Sequence, residues 1–297
     1  MTGYDCLFVD LDGVVYRGHQ AVPHAVEALS AYPARSLFVT NNASRTPQSV
    51  ASQLAGFGLP VSADDVVTSA QAAAAHMATL VPAGARILVT GGDGLRQAVT
   101  DEGLTITTHA DDAEAVVQGY SPNLGWVDLA EASYAVARDI PWVASNTDMS
   151  VPTARGIAPG NGTLVAAVAS ATGRIPQVTG IPHAPIMELA MRRSGAARPL
   201  VIGDRLDTDI DAAVAAGLDS LLVLTGVNTW RDVVDLPVAS LPTRVAPNLR
   251  VLGGHEDEFS LALDELVSTL RAGDDPTAAI RRVQRAEELP LHQSAQA

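Results

Sequence analysis

The 297-residue sequence predicts an α/β fold built on parallel sheet. Three observations carry that expectation. Short apolar runs recur from end to end, and each is continuous rather than alternating, as in strands buried on both faces. Ala-rich helical patterns separate them. Strand–helix alternation requires crossover connections, which are right-handed and give parallel neighbours.

In chain order the strands are Cys6–Val9, Ser36–Val39, Arg86–Val89, Ala115–Val117, Trp142–Ala144, Pro199–Ile202 and Leu221–Leu224. Thr46 and Pro47 offer a cap and a first-turn proline to a helix that Gly56 or Gly58 ends. Asp207 or Thr208 is placed to cap a helix running through Ile210 and Val214 to a stop at Gly217. The linker-like residues 80–85 and the Pro/Gly-rich stretch Thr172–Pro185 bracket a middle segment with strand–helix units of its own. The expected organisation is therefore a core of residues 1–79 and 183–256, an inserted α/β domain of residues 80–182, and a tail of residues 257–297. The tail carries one helical pattern, Phe259–Leu270, and its last 20 or so residues, polar and charged, are expected to fray or be disordered.

Composition narrows the function. Apolar residues make up 47% of the chain and aromatics only 4%, so the core must be built from Ala, Val and Leu. Acidic residues outnumber basic ones 33 to 19, which argues against general binding to nucleic acid or an anionic membrane. Every basic side chain other than His is Arg; there is no Lys. A single cysteine, Cys6, excludes an intrachain disulfide and a Cys-rich zinc site, and it precedes a buried strand as a packing residue would. No apolar run is long enough to span a bilayer and the start lacks a basic leader segment, so the expected location is the cytoplasm.

The chemistry gathers at strand ends. The first strand runs into Asp10-Leu11-Asp12-Gly13, two carboxylates just past a carboxyl end, where open α/β sheets bind ligands. Their mutual repulsion calls for a cation, a proton or a division of labour, although an ordinary acidic turn closed by Gly13 would read the same way. The second strand ends in Thr40-Asn41-Asn42, which offers a hydroxyl and a neighbouring N–H to a phosphate oxygen, or simply a turn and helix cap. The late strand ends in Gly203-Asp204-Arg205-Leu206-Asp207-Thr208-Asp209, an oxygen-rich string suited to a hard cation such as Mg2+. Asp207 reads better as a partner of the helix dipole. In a parallel sheet these three termini share one edge.

Together the three motifs resemble the haloacid dehalogenase superfamily, and Asp10–Gly18, Val39–Arg45 and Val201–Gly217 look like its NagD-like phosphatase branch. The resemblance implies a Rossmann-like core with an inserted type-II cap, and a Mg2+-dependent phosphatase acting on a small phosphorylated metabolite. It implies Asp10 as the nucleophile that becomes an aspartyl phosphate and Asp12 as general acid and then base. Thr40, Asn41, Asn42 and Gly13 would hold the phosphoryl group. Asp10, Asp204 and the backbone carbonyl of Asp12 would ligate Mg2+, with Asp209 and Arg205 in support. Cap-mediated homodimers are common in the resembled family.

One position departs from the pattern. The branch usually carries Gly-Lys-Pro where this chain has Gly180-Ile181-Pro182. A Lys there would neutralise the transferring phosphoryl group, and losing such a stabiliser costs about 10²–10³ in rate. Three readings stay open: Arg45 or Arg205 compensates, the chain is an impaired homologue that binds a phosphorylated ligand, or the position was altered. His183 reads as a helix-start surface residue. A phosphotransferase passing the aspartyl phosphate to another acceptor is a further alternative.

Within the cap, Gln118-Gly119-Tyr120, Ser145-Asn146-Thr147-Asp148 and Pro159–Thr163 fall at strand or loop ends where substrate could be met, though each also reads as a turn. The string Gly203–Ile210 and the turn Pro159–Thr163 look closest to glycerol-3-phosphate phosphatases of the branch. Thr90–Gly94 lacks the glycine spacing of a dinucleotide loop, the seven His show no metal spacing, and no Gly-x-Ser-x-Gly elbow exists.

Overall fold

The computed structural model describes residues 3–153 and 155–289. The chain opens with β1 (Cys6–Val9), a short hairpin of β2 (Tyr16–Arg17) and β3 (Gln20–Ala21), α1 (Ala25–Ala31) and β4 (Arg35–Thr40). Next come α2 (Pro47–Gly56), β5 (Val66–Thr68), α3 (Ser69–Leu80), β6 (Arg86–Thr90), α4 (Asp93–Asp101) and β7 (Thr105–Thr107). They are followed by β8 (Ala115–Gln118), α5 (Trp126–Val136), β9 (Trp142–Ala144), a hairpin of β10 (Ser150–Thr153) and β11 (Gly156–Pro159), α6 (Asn161–Thr172), β12 (Gln177–Val178) and α7 (Ala184–Ser194). The last stretch holds β13 (Pro199–Gly203), α8 (Asp211–Ala215), β14 (Asp219–Val223), α9 (Trp230–Val234), β15 (Arg244–Ala246), α10 (Glu258–Ala272) and α11 (Thr277–Glu288). All seven expected strands form, and the α/β class holds.

Two compact units divide these elements. The first takes in the described residues of Met1–Leu37, Phe57–Leu59 and Ala196–Ala297. Its sheet runs β15-β14-β13-β1, all parallel, with the start of β4 next in order. The register sets Val9 opposite Ile202 and Ile202 opposite Leu221, so Asp10 and Gly203 leave neighbouring strands at the same edge. Leu222, Trp230, Val245, Leu263 and Leu266 pack one face.

Two local expectations in this unit are corrected. Neither Asp207 nor Thr208 caps a helix: Leu206–Ile210 forms a wide turn in which the Ile210 N–H donates to the Arg205 carbonyl at 3.2 Å, and α8 follows directly. The carboxylate of Asp209 accepts from the Arg205 N–H at 3.0 Å, which holds that turn open. The tail contains a second helix, α11, whose Ala279, Val283 and Ala286 are buried on one face. Small apolar residues among Arg and Glu gave it a polar look. The fray expected of the last 20 or so residues is thus corrected where α11 runs, and its remainder on residues 290–297 lies outside the described residues.

The second unit takes in Phe38–Gly56 and Pro60–Gly195. Its five-stranded sheet, β12-β9-β8-β6-β7, is parallel throughout. Side chains alternate across it. Ile87, Val89, Val117 and Val143 pack against α3 and α4 through Met77, Leu95 and Val99, while Leu88, Val116 and Trp142 pack against α5 and α6 through Val136, Val165 and Val168. The end of β4 pairs in parallel with β5, Thr40 opposite Thr68. The Ala-rich stretch of α3 that reads as featureless in sequence is what lets this helix lie close on the sheet.

Candidate active site

In the first unit three carboxylates converge. Asp10, Asp204 and Asp209 each bring an oxygen within 4.8 Å of the others. Asp10 follows β1 directly, and its N–H donates to the Ile202 carbonyl of β13 at 2.9 Å. Asp204 is the residue after β13, and Asp209 is carried back towards it by the wide turn. Asp204 and Asp209 are buried and Asp10 is half-buried.

Burial decides their protonation. Desolvation pushes the Asp10 carboxyl well above the usual carboxylate range, and the negative charges of Asp209 and Asp204 push it further. Desolvation, followed by the charge of Asp204, pushes Asp209 up to about 8. Burial raises Asp204 too, against the N–H of Val227. Asp204 Oδ1 is buried with no hydrogen-bond partner. A site that gathers three oxygens at this cost stabilises a bound cation, and an all-oxygen set suits a hard one such as Mg2+. The residues present fit that metal.

A loop that the sequence reading did not single out clamps the cluster. Past β14, the Val227 N–H donates to Asp204 Oδ2 at 2.7 Å and the Asn228 N–H donates to the Asp204 carbonyl at 3.2 Å. Asn228 Oδ1 accepts from the Leu206 N–H at 2.9 Å, and the Thr225 hydroxyl donates to the Gly13 carbonyl at 2.7 Å. A side chain on Gly13, at φ +89°, would meet the Asp204 carboxylate, and one on Gly226 or Gly203 would overlap Asp204 or Asp209. The only sequence signal was Thr-Gly after an apolar run, which many turns share.

The other candidate residues are distributed as follows. Asp12 is exposed and stands outside the buried cluster; its carboxyl is raised by desolvation against the pull of Arg17. Gly13 donates its N–H to the Tyr16 carbonyl at 2.8 Å. Thr40, at the end of β4, is buried, and its Oγ1 accepts from the Asn42 N–H at 3.1 Å, which leaves its own O–H to donate. Asn42 Oδ1 accepts from the N–H and hydroxyl of Ser44. Asn41 Nδ2 donates to both Asp148 oxygens, at 3.3 and 3.2 Å, and to the Ile181 carbonyl at 3.0 Å.

Family models match at both ends of the chain. Residues 7–105 match "haloacid dehalogenase-like hydrolase", and residues 178–252 match a second hydrolase model of the same kind. A D-glycerol 3-phosphate phosphatase of Mycobacterium tuberculosis is 47% identical over 261 residues, 88% of this chain and 73% of the relative. The chain belongs to the haloacid dehalogenase-like hydrolases. A 5'-nucleotidase of Bacillus subtilis is 37% identical over 79% of this chain and 93% of its own length. Among solved structures, the glycerol phosphate phosphatase of M. tuberculosis in complex with magnesium aligns with a TM-score of 0.86 at 39% identity, covering 95% of this chain and 97% of that one.

Against the pattern of these hydrolases, Ile181 is buried, and the backbone around it is fixed by the bond from Asn41. Neither Arg named as a substitute is at liberty. Arg45, two residues before α2, is bound to Ser49 and Gln53 of that helix. Arg205 grips Asp207 through Nε and Nη2, at 3.0 and 2.7 Å, while its positive charge pulls Asp204 and Asp209 down. His183 stands exposed at the start of α7, with Nδ1 3.2 Å from the Gly180 carbonyl.

Proposed function

We propose that this hydrolase is a Mg2+-dependent phosphatase of small phosphomonoesters, with glycerol 3-phosphate the first substrate to try. The observation that carries the reading is the converging carboxylate triad of half-buried Asp10 and buried Asp204 and Asp209. The phosphatases and nucleotidase among its relatives support it. Bound Mg2+ supplies charge neutralisation, so that an anionic nucleophile and an anionic ester can approach.

The chain's own residues do the rest. A carboxylate oxygen of Asp10 attacks phosphorus and the bond to the ester oxygen breaks, leaving phosphate on Asp10. Asp12 gives its proton to the departing alkoxide; desolvation raises its carboxyl, the direction a proton donor needs. Asp12 then takes a proton from water as the water oxygen attacks phosphorus. Inorganic phosphate leaves and Asp10 is restored. The Thr40 hydroxyl holds a phosphoryl oxygen, and residues 80–182 act as the cap that selects the leaving group. A lone, buried cysteine suits a reducing compartment, and we place the enzyme in the cytoplasm.

Phosphate release from a panel of phosphomonoesters, with and without Mg2+, tests this, with Asp10→Asn as the blank. Turnover that needs Mg2+ and vanishes in Asp10→Asn is expected. No release above the blank from any ester would overturn the reading in favour of a phosphate-ligand binder, for which the buried Ile181 is the specific argument.

A further inference from the structure

Each of the two buried carboxylates of the triad has one oxygen engaged by the backbone. The Val227 N–H donates to Asp204 Oδ2 at 2.7 Å, and the Arg205 N–H donates to Asp209 Oδ2 at 3.0 Å. The other oxygen of Asp204, Oδ1, is buried without a partner. Glycine backbone lies against both groups: a Cβ on Gly226 would overlap the Asp204 carboxylate, and one on Gly203 would overlap that of Asp209. Neither carboxylate has room to turn and present both oxygens to one cation. Each therefore offers a single oxygen.

That count separates the two common hard dications. Mg2+ takes about six oxygens in a strict octahedron at about 2.1 Å, keeps several waters, and suits carboxylates that give one oxygen each. Ca2+ takes about 6–8 oxygens at about 2.3–2.6 Å and gains from carboxylates that give two. A site that forbids the two-oxygen mode withholds from Ca2+ what Mg2+ does not need.

What keeps the turn in place is Asn228. Its own N–H donates to the Asp204 carbonyl at 3.2 Å, and its Oδ1 accepts from the Leu206 N–H at 2.9 Å. It thus holds the residues on both sides of Arg205, whose N–H is the one that engages Asp209. The amide has one orientation, with its oxygen on the Leu206 N–H and its NH2 turned to the Asp232 carboxylate of α9. Asn228 is half-buried, and its side chain bonds the turn and not the triad. Partners of this kind, one step removed from the cation, orient the groups that bind it.

We propose that Asn228 is a positioning residue that sets which cation the triad takes: by fixing the turn it holds Asp204 and Asp209 to one oxygen each, which biases the site towards Mg2+ and against Ca2+. The proposal rests on the Mg2+ reading of the triad given above. With the bond to Leu206 lost, the turn relaxes, the Arg205 N–H leaves Asp209 Oδ2, and a second oxygen becomes available to the larger cation.

Calorimetric titration of the full chain with Mg2+ and with Ca2+, in the wild type and in Asn228→Ala, tests this. Loss of a residue that orients metal ligands should weaken Mg2+ binding by about 10–100-fold. Ca2+ should lose much less, so that the ratio of the Ca2+ Kd to the Mg2+ Kd falls at least about fivefold. Equal losses for the two cations, which a merely structural role would produce, overturn the proposal, and so does an unchanged pair of affinities. Asn228→Asp keeps the acceptor for the Leu206 N–H, and its added charge acts on both dications alike, so its ratio should stay near the wild-type value. A ratio in Asn228→Asp like that of Asn228→Ala overturns the proposal. Asn228→Ser, too short to reach Leu206, replaces Asn228→Ala should the latter fail to fold. A wild type that binds Mg2+ and shows these shifts but releases no phosphate from any ester loses the phosphatase reading and keeps this one. A wild type that binds neither cation loses both.

Discussion

Gly226 lies so close to Asp204 that a single methyl group on it would overlap the carboxylate. The next residue explains why: the Val227 N–H must reach Asp204 Oδ2, and it does so at 2.7 Å. The backbone is thus pressed against one arm of the carboxylate triad, and Asp204 can neither rotate nor retreat.

Gly226→Ala should therefore loosen the metal site before it unfolds the protein. Overpacking of this kind costs about 1–3 kcal/mol, and disturbing the partners that orient a metal ligand weakens metal affinity by about 10–100-fold. Mg2+ titration calorimetry on the folded variant measures this. The control is Gly56→Ala, where an added methyl meets nothing and the residue ends α2. Alanine there should be neutral or slightly stabilising, because it lowers the entropy cost of the helix. Equal Mg2+ affinity in Gly226→Ala and the wild type would mean that the loop does not position Asp204.

The triad also predicts how stability responds to pH. With no cation bound, the folded protein binds protons at Asp10, Asp204 and Asp209 more tightly than the unfolded chain, which releases them at ordinary carboxylate values. A raised folded-state value means that this contribution is complete at low pH and is lost as pH rises, through about 8 for Asp209. The Tm of metal-free protein should fall between mildly acidic pH and pH above 8. Mg2+ replaces those protons, so the Tm increment it produces should grow with pH, reaching about 5 °C at a hundredfold excess over Kd. Scanning calorimetry with Mg2+ and with EDTA reads both slopes; an increment independent of pH would show that the triad does not exchange protons for metal.

Sequence legibility followed chain locality. Asp10 and Asp204 were readable because each follows a continuous apolar strand, and neighbouring parallel strands gather such ends. The clamp by Thr225–Asn228 was not, because its reason for existing is a contact with Asp204 and Gly13, far away in sequence. Asn41 shows a second limit. The sequence offered its neighbouring N–H to a phosphate and gave no partner for its side-chain amide, because Asp148 lies more than a hundred residues on. Helix α11 was hidden because Ala279, Val283 and Ala286 carry little hydrophobic signal against their charged neighbours.

Ile181 carries the sharpest prediction. The resemblance to NagD-like phosphatases places a Lys here, and neither Arg weighed as its replacement is unengaged: Arg45 is bound to Ser49 and Gln53 of α2, and Arg205 is gripped by Asp207. With both engaged, turnover by the wild type should be slow. Ile181→Lys should raise kcat by at least about tenfold, part of the 10²–10³ that one such stabiliser is worth. Its main effect belongs on kcat rather than KM, because the charge acts on the group being transferred. Arg205→Ala provides the counter-test, since the charge of the Arg205 side chain pulls Asp204 and Asp209 down. Should Arg205 already supply the missing charge, Arg205→Ala would cost about 10²-fold in kcat and Ile181→Lys would gain nothing. The arrangement observed, with Arg205 held on Asp207, predicts the reverse: a modest loss in Arg205→Ala, and a gain in Ile181→Lys that persists in the double variant.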